Sequence, residues 1–81
     1  MYEVFLKMFG KVYNSKGKTI PEALNNLKVN TKVGGTSILT IKKGKKSKDR
    51  ILNRAVTTRL LALSPTMKEV TIKNLSLMFD L

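Results

Sequence analysis

Cysteine and histidine are both missing from these 81 residues. Without cysteine no disulfide can staple a small fold and no thiolate can hold a metal. Without histidine the usual neutral metal ligand and the usual general base are gone as well. Acidic residues are scarce: Glu3, Glu22, Asp49, Glu69 and Asp80 stand far apart, and Glu22 and Asp49 read as helix-capping residues. That leaves no paired carboxylates for acid-base work and no cluster for magnesium. No apolar run approaches the ~20 residues of a membrane-spanning helix, and the first residues lack the basic leader and apolar stretch of a secretory signal. The expectation is a soluble, intracellular, non-enzymatic protein without a cofactor, cytoplasmic or held within a viral or ribonucleoprotein particle.

What the chain has in excess is positive charge. Sixteen Lys and Arg against five acids give a formal net charge of +11. Such a field repels copies of the same chain, and it is tolerable where a polyanion is the working partner, because counterion release on binding nucleic acid offsets the electrostatic cost. Thirteen of the sixteen cations are lysine. AT-rich coding in a virus or a low-GC bacterium produces that bias as well, so part of the charge is readable as compositional drift.

The stretch Tyr2 to Tyr13 reads as one long strand around which the rest is organised. At a period of two, Tyr2, Val4, Leu6 and Met8 share a core face, while Glu3, Phe5, Lys7, Phe9, Lys11 and Tyr13 share the other. The second face alternates charge with rings, the pattern of a single-strand platform in which rings stack on bases and lysines hold phosphates. Its bland counterpart is packing, with Phe5 and Phe9 under a helix or against a second subunit and the lysine stems lying along them.

Asn14 to Lys18 then reads as a polar turn. Thr19 followed by Glu22 forms a capping box for a helix whose apolar stripe is Ile20, Ala23, Leu24 and Leu27, with Pro21 in the first turn. Val29 to Val33 and Thr36 to Lys43 flank Gly34 and Gly35 and predict a hairpin. The Lys42 to Lys48 run, hinged at Gly44, predicts an exposed basic loop able to follow a phosphate backbone without fixed register. Asp49 is the expected N-cap of a helix reaching Leu63, with Ile51, Leu52, Ala55, Val56, Leu60 and Leu63 on one side and Arg50, Asn53, Arg54 and Thr57 on the other. Ser64 and Pro65 end it. For residues 66–79 strand and helix compete: Val70, Thr71 and Ile72 favour a short strand, whereas a helix would place Met67, Val70, Leu77 and Met78 on one side.

The resulting order, β-α-β-β-α-β, predicts an α+β two-layer sandwich of the ferredoxin-like split βαβ kind in a single domain over 1–81, with Val4, Leu6, Leu24, Leu27, Ile38, Val56, Leu60 and Ile72 in one core. The first strand would lie centrally with its Phe5 face open. This architecture resembles RNA-recognition-motif domains, which carry stacking rings on that face, although Ser37 to Lys43 holds none of the aromatics those domains place on their third strand.

Gly17-Lys18-Thr19 fails as a phosphate loop, because Val12 stands where the motif needs glycine and Gly10 lies two residues too early. Asn74 to Phe79 resembles the short peptides by which replication and repair proteins grip sliding clamps, which implies protein contacts by Leu75, Leu77, Met78 and Phe79. Core packing of the apolar tail 75–81 is the alternative. The function expected from these residues is nucleic-acid binding, to RNA or DNA. Lys42, Lys43, Lys45, Lys46, Lys48, Arg50 and Arg54 address phosphates, Lys7 and Lys11 assist, and Phe5, Phe9 and Tyr13 meet bases. The competing expectation is an assembly protein that dimerises through the open sheet face or binds a protein through its tail.

Overall fold

The computed structural model describes residues 1–29, 35–61 and 64–79. They form an α+β domain of four antiparallel strands covered on one face by three helices. The chain runs β1 (Tyr2–Met8), β2 (Lys11–Gly17), α1 (Ile20–Asn25), β3 (Ser37–Lys43), β4 (Lys46–Leu52), α2 (Arg54–Leu60) and α3 (Pro65–Met78). The sheet order is β2-β1-β3-β4. The expected β-α-β-β-α-β succession is therefore replaced by β-β-α-β-β-α-α, although the first strand does lie in the interior of the sheet.

The long first strand is in fact two. Phe9 and Gly10 have φ of 54° and 73°, the two positive angles of a type I′ turn, and Met8 pairs with Lys11 across them. Glycine adopts that backbone freely, but for Phe9 it is strained. Folding back reverses the pleat beyond the turn. Tyr13 lies opposite Leu6 and Lys11 opposite Met8, so both sit on the helix-covered face and not beside Phe5. Asn14 to Gly17, read as a turn, belongs to β2.

The core face of β1 is as the alternation requires, with Val4, Leu6 and Met8 buried. Leu39 and Ile41 join them from β3. Ile38, expected in the core, is exposed on the open face, because residues at odd positions of β3 share the helix side with Val4 and Leu6.

Helix α1 begins as the sequence requires. Thr19 Oγ1 accepts from the Glu22 amide at 3.2 Å, and Glu22 Oε2 accepts from the Lys18 amide at 3.0 Å. Ile20, Ala23 and Leu24 are buried against the sheet, and Leu27 follows them. Gly17 explains how close α1 comes. A Cβ at that position would meet the Ala23 backbone, including its Cα at 2.8 Å. The glycine serves helix-on-strand packing and no phosphate loop.

Of the hairpin expected between Val29–Val33 and Thr36–Lys43, the second strand is β3, which pairs with β1 on one side and β4 on the other, and Val29 lies outside any strand. Residues 30–34 lie outside the described residues. The basic loop is the tip of a β3–β4 hairpin, with Lys43 opposite Lys46 and Gly44 at φ 61°.

Asp49 caps nothing. It lies within β4 and accepts from Thr40 Oγ1 at 2.8 Å, and the cap of α2 is Asn53, whose Oδ1 accepts from the Val56 amide at 2.9 Å. Of the stripe expected for a helix from Asp49, Leu52 and Leu60 are buried and Val56 half-buried, whereas Ile51 (77% exposed) and Ala55 face solvent. Leu63 lies outside the described residues.

Ser64 and Pro65 start a helix instead of ending one, with proline in the first turn where its missing amide is harmless. The short strand over Val70 to Ile72 is absent, those residues being the middle of α3. The face packed inward is Thr71, Ile72, Leu75 and the C-cap Phe79, and the stripe Met67, Val70, Leu77 and Met78 points outward.

Candidate nucleic-acid interface

Six cations and one acid fall within Lys42 to Arg50. The hairpin sorts them by pleat. Lys42 shares the open face with Ser47 and Asp49, while Lys43, Lys46, Lys48 and Arg50 point to the helix side, where β4 runs past the cover of the helices and leaves them all exposed. Lys45 stands at the tip. Lys43 and Lys46 are directly opposed, a like-charge cross-strand pair that weakens the hairpin. Nothing in the folding of the ribbon calls for such a pair.

Two rings hold two of these lysines in place from opposite faces of the sheet. Lys42 Nζ lies 5.1 Å from the Phe5 ring centroid on the open face, and Lys43 Nζ lies 5.0 Å from that of Tyr2 on the helix side. Arg50 has a structural contact as well: its Nη2 donates at 3.5 Å to the Met78 carbonyl at the C-terminal end of α3, where a cation suits the helix dipole.

The open face is a grid read from the strand register. One row is Lys16, Glu3, Lys42 and Ser47, the next is Asn14, Phe5, Thr40 and Asp49, and the last is Val12, Lys7, Ile38 and Ile51. Asn14 Nδ2 donates to Glu3 Oε2 at 3.0 Å, which orients that carboxylate. The face is thus polarised, basic toward the β3–β4 tip and apolar toward the β1–β2 turn.

The expected site residues are therefore not all neighbours. Lys42, Lys43, Lys45, Lys46 and Lys48 gather at the tip with Phe5 beside them. Arg54, in the first turn of α2, lies beyond the far end of β4, about 20 Å of strand away, so it cannot share an anion with the tip. Lys7 and Lys11 occupy that far end also. Phe9 is at the β1–β2 turn and 62% exposed, and Tyr13 is on the opposite face, half-buried against the core. The rings do not form a ladder.

Of the tail residues, Leu75 and Phe79 are buried in the core, while Leu77 and Met78 are exposed. Lys16, which a turn over Asn14 to Lys18 would leave off the sheet, stands on the open face opposite Glu3, and Gly10 is the residue in the sequence that signals the chain reversal putting it there.

Elsewhere, Lys68 Nζ donates to the Asn25 carbonyl at 3.5 Å in a groove between α1 and α3. Partial burial, and then the nearby Lys28, hold its pKa below the ordinary lysine value. Among the described residues no cluster of acidic side chains could hold a metal ion, no buried side-chain polar atom lacks a partner, and no helix is long and apolar enough to cross a membrane. No protein-family model, curated protein or solved structure matches the chain.

Proposed function

We propose that the protein is a non-enzymatic, intracellular nucleic-acid-binding domain that grips phosphates with the β3–β4 hairpin. The observation that carries this reading is the exposed cluster Lys42, Lys43, Lys45, Lys46 and Lys48, with a like-charge pair next to its turn and two acids at its edges, Glu3 across from Lys42 and Asp49 after Lys48. A regular two-stranded ribbon presents these cations on both of its faces, a form suited to lying along a phosphate backbone. On the open face the ring beside the lysines is Phe5, so a single strand crossing the sheet would stack a base there once Lys42 swings from the ring to a phosphate. Phe9 is a second ring for a strand that continues to the far end. Tyr13, on the other face, leaves this reading.

Titration with labelled single-stranded and duplex oligonucleotides over a range of salt tests it. About four to six phosphate contacts give a slope of log affinity on log salt of roughly −3 to −4 for single strands. No measurable binding at low salt overturns the proposal.

A second reading rests on Val12, Ile38 and Ile51, the apolar members of the row they share with Lys7, with Phe9 at its corner. There the open face makes protein contacts, including contact between two copies of the chain. Sedimentation at high salt, where the charge repulsion is screened, separates the two: a dimer lost on Ile51→Asp supports protein contact through the face.

A further inference from the structure

The nucleic-acid reading leaves the outward side of the helix layer unused, and that side is apolar too. Along α3, Met67, Val70, Asn74 and Leu77 follow one another at intervals of three, four and three residues, the a-d-a-d spacing of a coiled-coil seam. All four are exposed, Val70 at 56% and Leu77 at 76%, and Met78 adjoins them. The inward side of the same helix, Ile72 and Leu75, fills the protein's own core, and buried Thr71 stands between that side and the outward stripe. A surface helix needs one apolar stripe for its fold, and α3 has two.

The outward stripe borders a groove of about 520 Å³ between α2 and α3, lined by Met67, Val70, Thr71 and Asn74 of α3 together with Arg59, Ser64 and Thr66. Arg59 is its charged lining residue, and Lys73 flanks the stripe from the other side. Glu69, the acid of α3, lines the separate groove toward α1.

We propose that this stripe and groove are a docking surface for an amphipathic helix of a partner protein, one whose apolar seam is flanked by acidic residues. The shape fits a helix: α3 has 14 residues, about 21 Å or two heptads, along which a second helix can lie with anchors at matching spacing. The charge selects an acidic one, since Arg59 and Lys73 stand at the borders of the seam on a chain of net charge +11. Asn74 at the central a-type position would set the register of the pair. A second copy is the poorer occupant. It would bring +11 against +11. Nucleic acid finds neither rings nor a row of cations along these aliphatic side chains.

The probe is a synthetic helix of roughly 21 residues with Ile and Leu at the a and d positions, Asn at the central a, and Glu at e and g, whose mutual repulsion keeps the free peptide monomeric. A matched peptide carries Lys in place of Glu. Titrated into the isotope-labelled full chain, the acidic peptide is expected to shift the amides of Met67, Val70, Asn74, Leu77 and Arg59 saturably, and the basic peptide to bind at least about tenfold more weakly. The double variant Val70→Asp/Leu77→Asp, checked for an unchanged thermal melt, should weaken the acidic peptide by about tenfold or more. Leu77→Ser, a milder change at an exposed site, serves if that variant melts early. The proposal is overturned if the acidic peptide shifts only the Lys42–Lys48 hairpin, if it binds the variants as well as the parent, or if neither peptide moves these amides. A dimer of the protein alone that dissociates in the variants overturns it also, by showing that a second copy is the occupant.

Discussion

The hydroxyls of Ser37 and Thr57 lie 2.8 Å apart in the core, tying the first residue of β3 to the middle of α2. Thr57 Oγ1 also donates to the Asn53 carbonyl at 2.8 Å. One hydroxyl has one proton, so the Ser37 hydroxyl is the donor between them. Both residues are buried, which makes this chain from Ser37 to Thr57 to the Asn53 carbonyl a polar link that must stay complete. Thr57→Val should cost about 1–3 kcal/mol in denaturant melts, because it strands the Ser37 hydroxyl away from water. The double variant Ser37→Ala/Thr57→Val should cost less than the sum of the two single changes. Strict additivity would show that the hydroxyls do not interact.

Gly17→Ala is expected to destabilise the fold by about 1–3 kcal/mol, since the new methyl group meets the Ala23 backbone and α1 must shift off β2. An unchanged melt would mean that α1 does not sit as close to the end of β2 as its geometry requires.

Phe9→Asn should raise stability by about 1 kcal/mol. Asparagine tolerates the positive φ of the turn that phenylalanine adopts under strain, and the lost ring is largely exposed. If the ring also meets a base, the same variant binds single strands more weakly while melting higher, a combination that a purely structural role does not produce.

Phe79→Ala should cost about 3–5 kcal/mol, because the ring is buried beside Leu75 and Ile72. A melt within a few tenths of a kcal/mol of the parent would detach the chain end from the core and restore its reading as a recognition peptide.

Lys45→Ala/Lys46→Ala should flatten the salt dependence of single-strand binding by about 0.7 per lost phosphate contact, whatever the base sequence. Phe5→Ala should instead lower single-strand affinity by about 1–3 kcal/mol and leave that slope alone. Equal single-strand affinity in the Phe5 variant and the parent would keep the basic hairpin and remove the stacked base.

Several features were legible because they depend on near neighbours in the chain. The capping of α1 by Thr19 and Glu22 needs only three residues of spacing, and the alternation Val4, Leu6, Met8 needs only the pleat. The exposure of the Lys42–Lys48 run follows from the cost of burying charge. Misreadings began where a local pattern continued smoothly across a reversal of the chain. Phe9-Gly10 lacks the usual Asn-Gly or Asp-Gly of a tight hairpin, so the alternation ran on through the turn and carried Lys11 and Tyr13 to the wrong face. Asp49, Arg50, Ile51 and Leu52 satisfy a helical stripe as readily as a strand, and their pairing with β3 decided between the two.

By itself, then, the sequence determined the charge, the absence of cysteine and histidine chemistry, the capped first helix and the inner face of β1, all of which are properties of composition or of residues a few positions apart. Only the tertiary structure decided which side of each later element is inside. α3 has an apolar stripe on two sides, and no period can choose between them. The choice was made by which stripe meets the exposed apolar surface of α1 and the sheet, where Ile72, Leu75 and Phe79 close one core and leave Met67, Val70 and Leu77 to solvent.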